Sequence, residues 1–265
     1  MNKLTIEVPH AGDSPSAVVD FRQAHCKMPV YFKFRGWTAP DDPWHQLVAN
    51  PIQALGFYGP PPNVVCIPSV GCVPQYASTI FGEWDGYNPA SDCNGYFTAK
   101  KYQIHNNCYN YALDIASNSF AWPGRKHELL LKPPLDPDQV VRGACRDGLI
   151  LIGEAADSFD NACEVAKKFD DGHIVAVLIA SPDETLGFPG DFHWVRCDDG
   201  ESSIWSQKDG PDQIATLDFA GQPIVDPQSA NWTVNCGPDE TCRDLFISYE
   251  FRAWMFVPHG RVDII

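Results

Sequence analysis

The feature that most constrains the fold is a nearly unbroken apolar run, His173-Ile-Val-Ala-Val-Leu-Ile-Ala180. Its length and its β-branched residues are typical of a strand. A strand with one solvated face would alternate between apolar and polar residues, and this run does not. It therefore predicts a central strand that is buried on both faces of a sheet.

Further strands are predicted after this run. The segments 192–196 and 203–207 flank Asp198-Asp-Gly-Glu201, which is a turn signal, so they predict an antiparallel hairpin. A last strand is predicted over 247–257, before Pro258. Three helices are predicted ahead of these strands or between them, from Asn107 to about Asn118, from Pro137 to about Asp147, and from Glu154 to Phe169. Helices followed by an antiparallel sheet predict an α+β fold.

The chain divides into two parts by composition. Residues 1–95 are rich in proline and glycine and contain only short predicted elements, such as a strand over 29–35. We expect an irregular N-terminal lobe there, packed on a domain that spans residues 96–265. Composition gives this lobe no function.

Charge and hydropathy exclude several classes of partner. The net charge is −15, and after residue 100 there are 26 acidic residues against 13 basic ones. Such a field repels nucleic acid and anionic membrane surfaces, so neither is an expected partner. The first ten residues lack the apolar core of a secretory signal, and no segment has the length of a membrane span. We expect a soluble protein, which would leave a cell only by a route that reads no classical signal peptide.

The ten cysteines include two pairs with the same spacing, Cys66 with Cys72 and Cys236 with Cys242. Each pair encloses a loop with proline and glycine, which a local disulfide would close. The alternative is reduced, buried cysteine. No CxxC pair is present, so we expect neither a zinc site nor any cofactor.

One cysteine has the position of a nucleophile. Cys108 follows Asn106 and Asn107, either of which is a good N-cap, and so it lies in the first turn of a predicted helix. Backbone N–H groups and the helix dipole at that position favour a thiolate, and we expect the pKa of Cys108 to fall below the roughly 8.5 of a free thiol.

A thiolate hydrolase also needs an imidazole base and a polar group that orients it. His193, at the start of the hairpin, is the predicted base, and His173 is the alternative. If the hairpin has a two-residue turn, Ser206 lies opposite His193, whereas a one-residue bulge brings Gln207 there. We favour Gln207, because its amide oxygen accepts a hydrogen bond as a carboxylate does. Candidate oxyanion or substrate contacts are Gln103, Asn107, Ser206 and Trp194.

These residues carry a resemblance to a known family. The segments Asn107-Cys-Tyr-Asn-Tyr-Ala112, Asp191-Phe-His-Trp194 and Ile204-Trp-Ser-Gln-Lys-Asp-Gly210 are similar to papain-like cysteine hydrolases, particularly the compact bacterial NlpC and CHAP types. The resemblance covers residues 100–257. It implies a papain-like fold in which the helix with the cysteine packs on an antiparallel sheet. In that family the third catalytic position is commonly His, Asn or an acid, whereas this chain has Gln207 or Ser206.

The resemblance also implies a function. We expect an amidase or endopeptidase that forms a Cys108 thioester, with a peptide or peptidoglycan stem as substrate. Some relatives are antibacterial toxins, and for such an effector a cognate inhibitor or immunity protein is an expected partner. Two alternatives stay open. One is a transglutaminase- or deamidase-like toxin that acts on proteins, and the other is a non-catalytic binding or structural module.

Overall fold

A computed structural model of the chain describes residues 63–81, 97–184, 188–199, 204–238 and 244–265. Most of the predicted N-terminal lobe, including the strand predicted over 29–35, lies outside the described residues. The part of that lobe that the structure does describe is a short β-hairpin followed by a two-residue strand.

The described elements are mostly strands. The strands are β1 (Asn63–Ile67), β2 (Gly71–Gln75), β3 (Ile80–Phe81), β4 (Ile115–Ala116), β5 (Ile150–Glu154), β6 (Gly172–Ala180), β7 (Asp191–Asp199), β8 (Ile204–Lys208), β9 (Ile214–Ala215), β10 (Thr233–Pro238), β11 (Asp244–Ser248) and β12 (Glu250–Pro258). The α-helices are α1 (Lys100–Gln103), α2 (Cys108–Ala112), α3 (Pro137–Arg146) and α4 (Phe159–Ala166), with a 3₁₀ turn at Arg125–His127.

Six strands form one antiparallel sheet in the order β5-β12-β6-β7-β8-β9. The predicted central strand is confirmed as β6, which pairs with β12 on one side and β7 on the other. Three two-stranded sheets, β1-β2, β3-β4 and β10-β11, accompany it in the described ranges.

The sheet is covered on both faces, as the apolar run requires. One layer contains α2 and α3, and its buried cluster includes Val175, Val177 and Trp194 of the sheet. The other layer contains α4 and the β10-β11 hairpin, and its cluster includes the alternate residues Ala176 and Leu178. Side chains along a strand point to opposite faces in turn, so β6 contributes to both clusters.

The predicted papain-like α+β fold is wrong. Strands make up 37% of the described structure and helices 17%. The α-helices span only four to ten residues. A six-stranded antiparallel sheet, rather than a helical half packed on a sheet, dominates the domain.

The predicted helix boundaries hold in one case and fail in two. Helix α3 is confirmed, with Asp136 as its N-cap and Pro137 at its first position. The helix predicted over 154–169 is shorter, because β5 ends at Glu154 and Ser158 caps α4 only afterwards. The helix predicted to reach Asn118 ends at Ala112. The last predicted strand is in fact two strands, β11 and β12.

Strand β5 lies at one edge of the sheet, and local side chains bind two of its amides. The sulfur of Cys145 accepts from the Leu151 N–H, and Asp157 accepts from the Glu154 N–H at 2.8 Å. In the part of the chain that the structure describes, no helix has the length and apolarity needed to cross a membrane.

Candidate functional site

A network of asparagines fixes the start of α2. Asn107 is the N-cap: its side chain accepts from the Asn110 N–H at 3.1 Å, and the Asn110 side chain accepts in return from the Asn107 N–H at 3.2 Å. Asn110 also donates to Ile115 and Ser117 and accepts from the Ala121 N–H. The predicted N-cap is therefore confirmed, and Cys108 is the first residue of the helix.

Lys208, at the end of β8, holds the chain that leads into this helix. Its side chain is fully buried, and its Nζ donates to the carbonyls of Gln103, Asn106 and Gly210 at 2.7, 2.5 and 2.8 Å. Burial lowers the pKa of Lys208 to about 7, while the charges of Asp212 and Cys108 act in the opposite direction. The ammonium group thus ties β8 to the segment before Cys108.

Cys108 is only 3% exposed. It lines a narrow pocket together with Asn107, Phe120, Trp122, Asp191, Phe192 and Gly210. Three of these seven residues are aromatic and one, Asp191, is a carboxylate. The buried Lys208 is close enough for the charge of Cys108 to act on its pKa.

The predicted partner of His193 is present. The His193 Nε2 donates to the Gln207 Oε1 at 2.8 Å, and the Gln207 amide is oriented because its Nε2 donates to the Leu217 carbonyl at 2.9 Å. Since the amide oxygen only accepts, His193 carries its hydrogen on Nε2. This is the tautomer that an orienting amide would select in a thiol hydrolase.

His193 and Cys108 belong to different layers of the domain. Trp194 packs on Tyr109 of α2, with 4.8 Å between ring centroids, so the adjacent His193 points to the other face of β7. There the His193 ring lies 5.4 Å from Phe219 and 5.8 Å from Trp232. His193 has no exposed surface. The structure thus joins His193 to Gln207, whereas a contact between the Cys108 sulfur and this ring stays a prediction.

The two layers approach each other at the start of β7. Asp191 lines the Cys108 pocket, and its Oδ2 accepts a hydrogen bond from the Tyr249 hydroxyl at 2.7 Å. The Tyr249 ring in turn lies 6.1 Å from the His193 ring. Asp191 therefore lines the pocket of Cys108 and, through Tyr249, is linked to the aromatic residues around His193.

The remaining candidates have structural contacts. Ser206 hydrogen bonds to the Tyr111 hydroxyl at 2.5 Å on the face that α2 covers. Gln103 donates to the Pro211 carbonyl, and Trp194 is completely buried. The alternative base, His173, bonds to the Ala112 carbonyl and to His259. Asn107 donates to the Ala121 carbonyl as well as capping α2.

The sequence prediction missed Lys208 and Asp191. Lys208 follows four strand residues, and a lysine in that position is typical of a strand end exposed to solvent. The neighbouring residues do not indicate that its side chain would be buried against three backbone carbonyls. Asp191 has the pattern of a loop residue after Gly190. The available signal was its position directly before Phe192 and His193. The first residue of a strand lies at the same end of the sheet as the residues that follow it, so Asp191 could be expected near the predicted base.

The structure defines the state of six cysteines. Cys66 and Cys72 form a disulfide across the β1-β2 hairpin, so the disulfide alternative is confirmed for this pair. Cys242 lies outside the described residues. Cys108, Cys145, Cys163 and Cys197 are reduced thiols. Among the described residues, no group of three or more His, Cys, Asp or Glu side chains has a metal-binding arrangement.

The chain is similar to one protein from a mollusc shell. Insoluble matrix shell protein 1 of Ruditapes philippinarum is 34% identical to it over 130 residues, which make up 49% of this chain and 72% of that protein. No family model matches the chain, and no solved structure matches it.

Proposed function

Because the chain belongs to the family of insoluble matrix shell protein 1, we propose that it is a structural protein of an insoluble extracellular matrix. The observation that carries this proposal is the similarity itself, since it extends over 72% of the shell protein. The chain then works outside the cell and has other matrix components as its partners.

Two features of the fold support this proposal. The Cys66–Cys72 disulfide suits an oxidising, extracellular compartment. Cys108 and His193 are 3% and 0% exposed, which suits a packing role better than attack on a large substrate. The net charge of −15 gives the protein a strongly acidic character in that setting.

Fractionation of the tissue that makes the protein tests this proposal. Extracellular material is washed with salt and with a chelator, then extracted with denaturant, and finally with denaturant plus reductant, and each fraction is probed with an antibody to the chain. We expect the protein to remain in the washed solid until denaturant is added. Recovery in the soluble cell extract, with Cys66 and Cys72 open to a thiol reagent, would contradict the proposal.

A cysteine hydrolase is the second candidate, favoured by the His193–Gln207 hydrogen bond and by the position of Cys108 at a capped helix start. In this function Cys108 attacks an amide carbonyl, His193 transfers the proton, and water hydrolyses the thioester. It requires the Cys108 sulfur and the His193 ring, which belong to different layers, to come together at the end of the sheet. Peptidoglycan stem peptides are the first substrates to test. A transglutaminase or deamidase would use the same thioester on a protein substrate.

Thiol labelling separates the two candidates. If the protein is a cysteine hydrolase, iodoacetamide at pH about 6 should modify Cys108 much faster than it modifies Cys145, which is an exposed thiol. The matrix proposal expects the reverse order, because Cys108 is buried. Release of peptide fragments from peptidoglycan by the wild type, but not by Cys108→Ala, would overturn a purely structural function. Ammonia release from proteins by the wild type alone would assign the deamidase chemistry.

A further inference from the structure

Four groups form a continuous hydrogen-bonded chain at one end of the sheet. The Asp171 carboxylate lies 2.8 Å from the His259 Nδ1, and the His259 Nε2 lies 3.0 Å from the His173 Nδ1. The His173 Nε2 lies 2.7 Å from the Ala112 carbonyl oxygen at the end of α2. The chain thus links the start of β6, the turn after β12 and the helix that begins with Cys108.

A count of hydrogens shows that two neutral imidazoles cannot form this chain. The Ala112 carbonyl only accepts, so His173 carries a hydrogen on Nε2. The Asp171 carboxylate also only accepts, so His259 carries one on Nδ1. In two neutral rings, the His173 Nδ1 and the His259 Nε2 would then both be bare lone pairs, facing each other across 3.0 Å. One additional proton between these nitrogens turns this repulsion into a hydrogen bond.

We propose that His173 and His259 act together as a proton-binding site that takes up a single shared proton. The protonated pair fastens α2 to the ends of β6 and β12. When the proton leaves, the bond between the rings is lost, and His259 separates from His173. The inference concerns a pH-sensitive contact and depends on neither candidate function.

The charges around the pair favour one proton and oppose a second. Asp171 balances one positive charge at His259. Arg196, on β7, carries a positive charge that lowers the pKa of both histidines, in addition to the larger effect of burial. Asp114 lies 3.7 Å from Arg196 and offsets part of that charge. Asp198 lies 3.3 Å from Arg196, but burial raises its pKa to about 7, so this carboxyl becomes neutral in acidic solution. The cleft beside His173 adds Lys167, Asp170 and the thiols of Cys163 and Cys197.

The same charges set the pH range of the change. Because burial and Arg196 lower the pKa of both rings, the shared proton binds below the usual histidine value of about 6.5. The contact is therefore closed in acidic solution and open at neutral pH.

Nitrogen NMR of the full chain with ¹⁵N-labelled histidine tests the proposal, because ring nitrogen shifts report both tautomer and charge. Between pH 4 and 8, we expect the His173 and His259 signals to move together, with one midpoint below 6.5 and a total change of one proton. Two independent midpoints would overturn the proposal. So would a His173 ring that keeps one neutral tautomer over the whole range.

Variants distinguish one shared proton from two rings that titrate separately. In His259→Gln the amide can donate to the His173 Nδ1, so we expect His173 to lose its titration while the far-UV circular dichroism is unchanged. In Asp171→Asn, an exposed change, the shared midpoint should fall. His127→Gln is the matched control and should leave the shared midpoint unchanged.

A metal ion is the alternative ligand of the two rings. If Zn²⁺ at neutral pH shifts the signals of both rings as protonation does, the pair is a metal site and the proposal is wrong.

Discussion

Lys208 shows how one buried cation can organise a site. Its three acceptors are backbone carbonyls from two separate segments, so the side chain substitutes for backbone pairing where the chain enters α2. In Lys208→Met these carbonyls lose their donor while they stay buried. We expect a loss of about 3 kcal/mol in the free energy of unfolding, measured by urea denaturation.

The control for this substitution is Lys167→Met. Lys167 pairs with Glu164, but the two side chains are 69% and 71% exposed, so the change should stay within about 0.5 kcal/mol. Equal losses for both variants would show that the carbonyl contacts of Lys208 add nothing to stability.

Asp147 predicts a pH dependence of stability. Burial raises the pKa of this carboxyl to about 7, against smaller opposing effects of hydrogen bonds from the Gly124 N–H and the Tyr109 hydroxyl. A pKa raised in the folded state means that the folded protein holds a proton that the unfolded chain has released. Its contribution to stability is complete below about pH 4 and is lost as the pH rises through 7.

Comparison with Asp147→Asn isolates this contribution. The difference in unfolding free energy between wild type and variant should fall, by an amount on the order of 2 kcal/mol, from pH 5 to pH 8. The difference is needed because burial also raises the pKa of Asp198 to about 7. A difference that stays constant from pH 5 to pH 8 would mean that Asp147 is ionised in the folded protein throughout this range.

At the scale of elements, α3 depends on a close crossing with the turn at Pro123 and Gly124. A Cβ atom on Gly143 would lie 2.6 Å from the Pro123 carbonyl oxygen. In Gly143→Ala the usual gain of about 1 kcal/mol in helix propensity is therefore outweighed by the overlap. We expect a net loss of about 2 kcal/mol in urea denaturation.

Arg142→Ala, on the exposed side of the same helix, is the control for this crossing. Its ion pair with Asp136 is solvent-exposed, and its loss should change stability by less than about 1 kcal/mol. If Gly143→Ala stabilises the protein instead, the turn has moved to accept the methyl group.

Several elements were predictable because their signals are local. The apolar run of β6, the Asp136-Pro137 start of α3 and the asparagine cap of α2 all depend on neighbouring residues. The end of α2 was not predictable from apolar spacing. Asn110 and Asn118 donate to nearby carbonyls, and Asp114 and Asn118 adopt left-handed backbone angles, which end the helix early. The remaining helical pattern over 154–169 was interrupted by the Asp157 and Ser158 turn.

The contact between His193 and Gln207 was predictable in its residues but not in its register. A two-residue turn would place Ser206 opposite His193. The observed pairs are Val195 with Gln207 and Arg196 with Ser206. A shift by an odd number of residues exchanges the two faces of a strand, so Ser206 faces α2 and Gln207 lies on the same face as His193. The length of the connecting loop decides this shift, and hairpin propensities fix that length poorly.

At the scale of the whole molecule, the two buried clusters share the central strands. β6 is paired on both sides and covered on both faces, whereas β1-β2 and β10-β11 are separate two-stranded sheets. We expect native-state hydrogen exchange to be slowest in β6 and its neighbours β7 and β12, and faster in both hairpins. Hairpin amides as well protected as those of β6 would show that the described domain opens only as a unit.

Under the proposed matrix function, the edge of the sheet at β5 bears on how the protein would become part of a solid. Cys145 and Asp157 already bind the Leu151 and Glu154 amides, so a second chain could extend the sheet here only by first displacing them. Fibre growth by strand addition is disfavoured at this edge. The domain is therefore suited to enter a solid as an intact folded unit, linked through its surface rather than through a continuous backbone ladder.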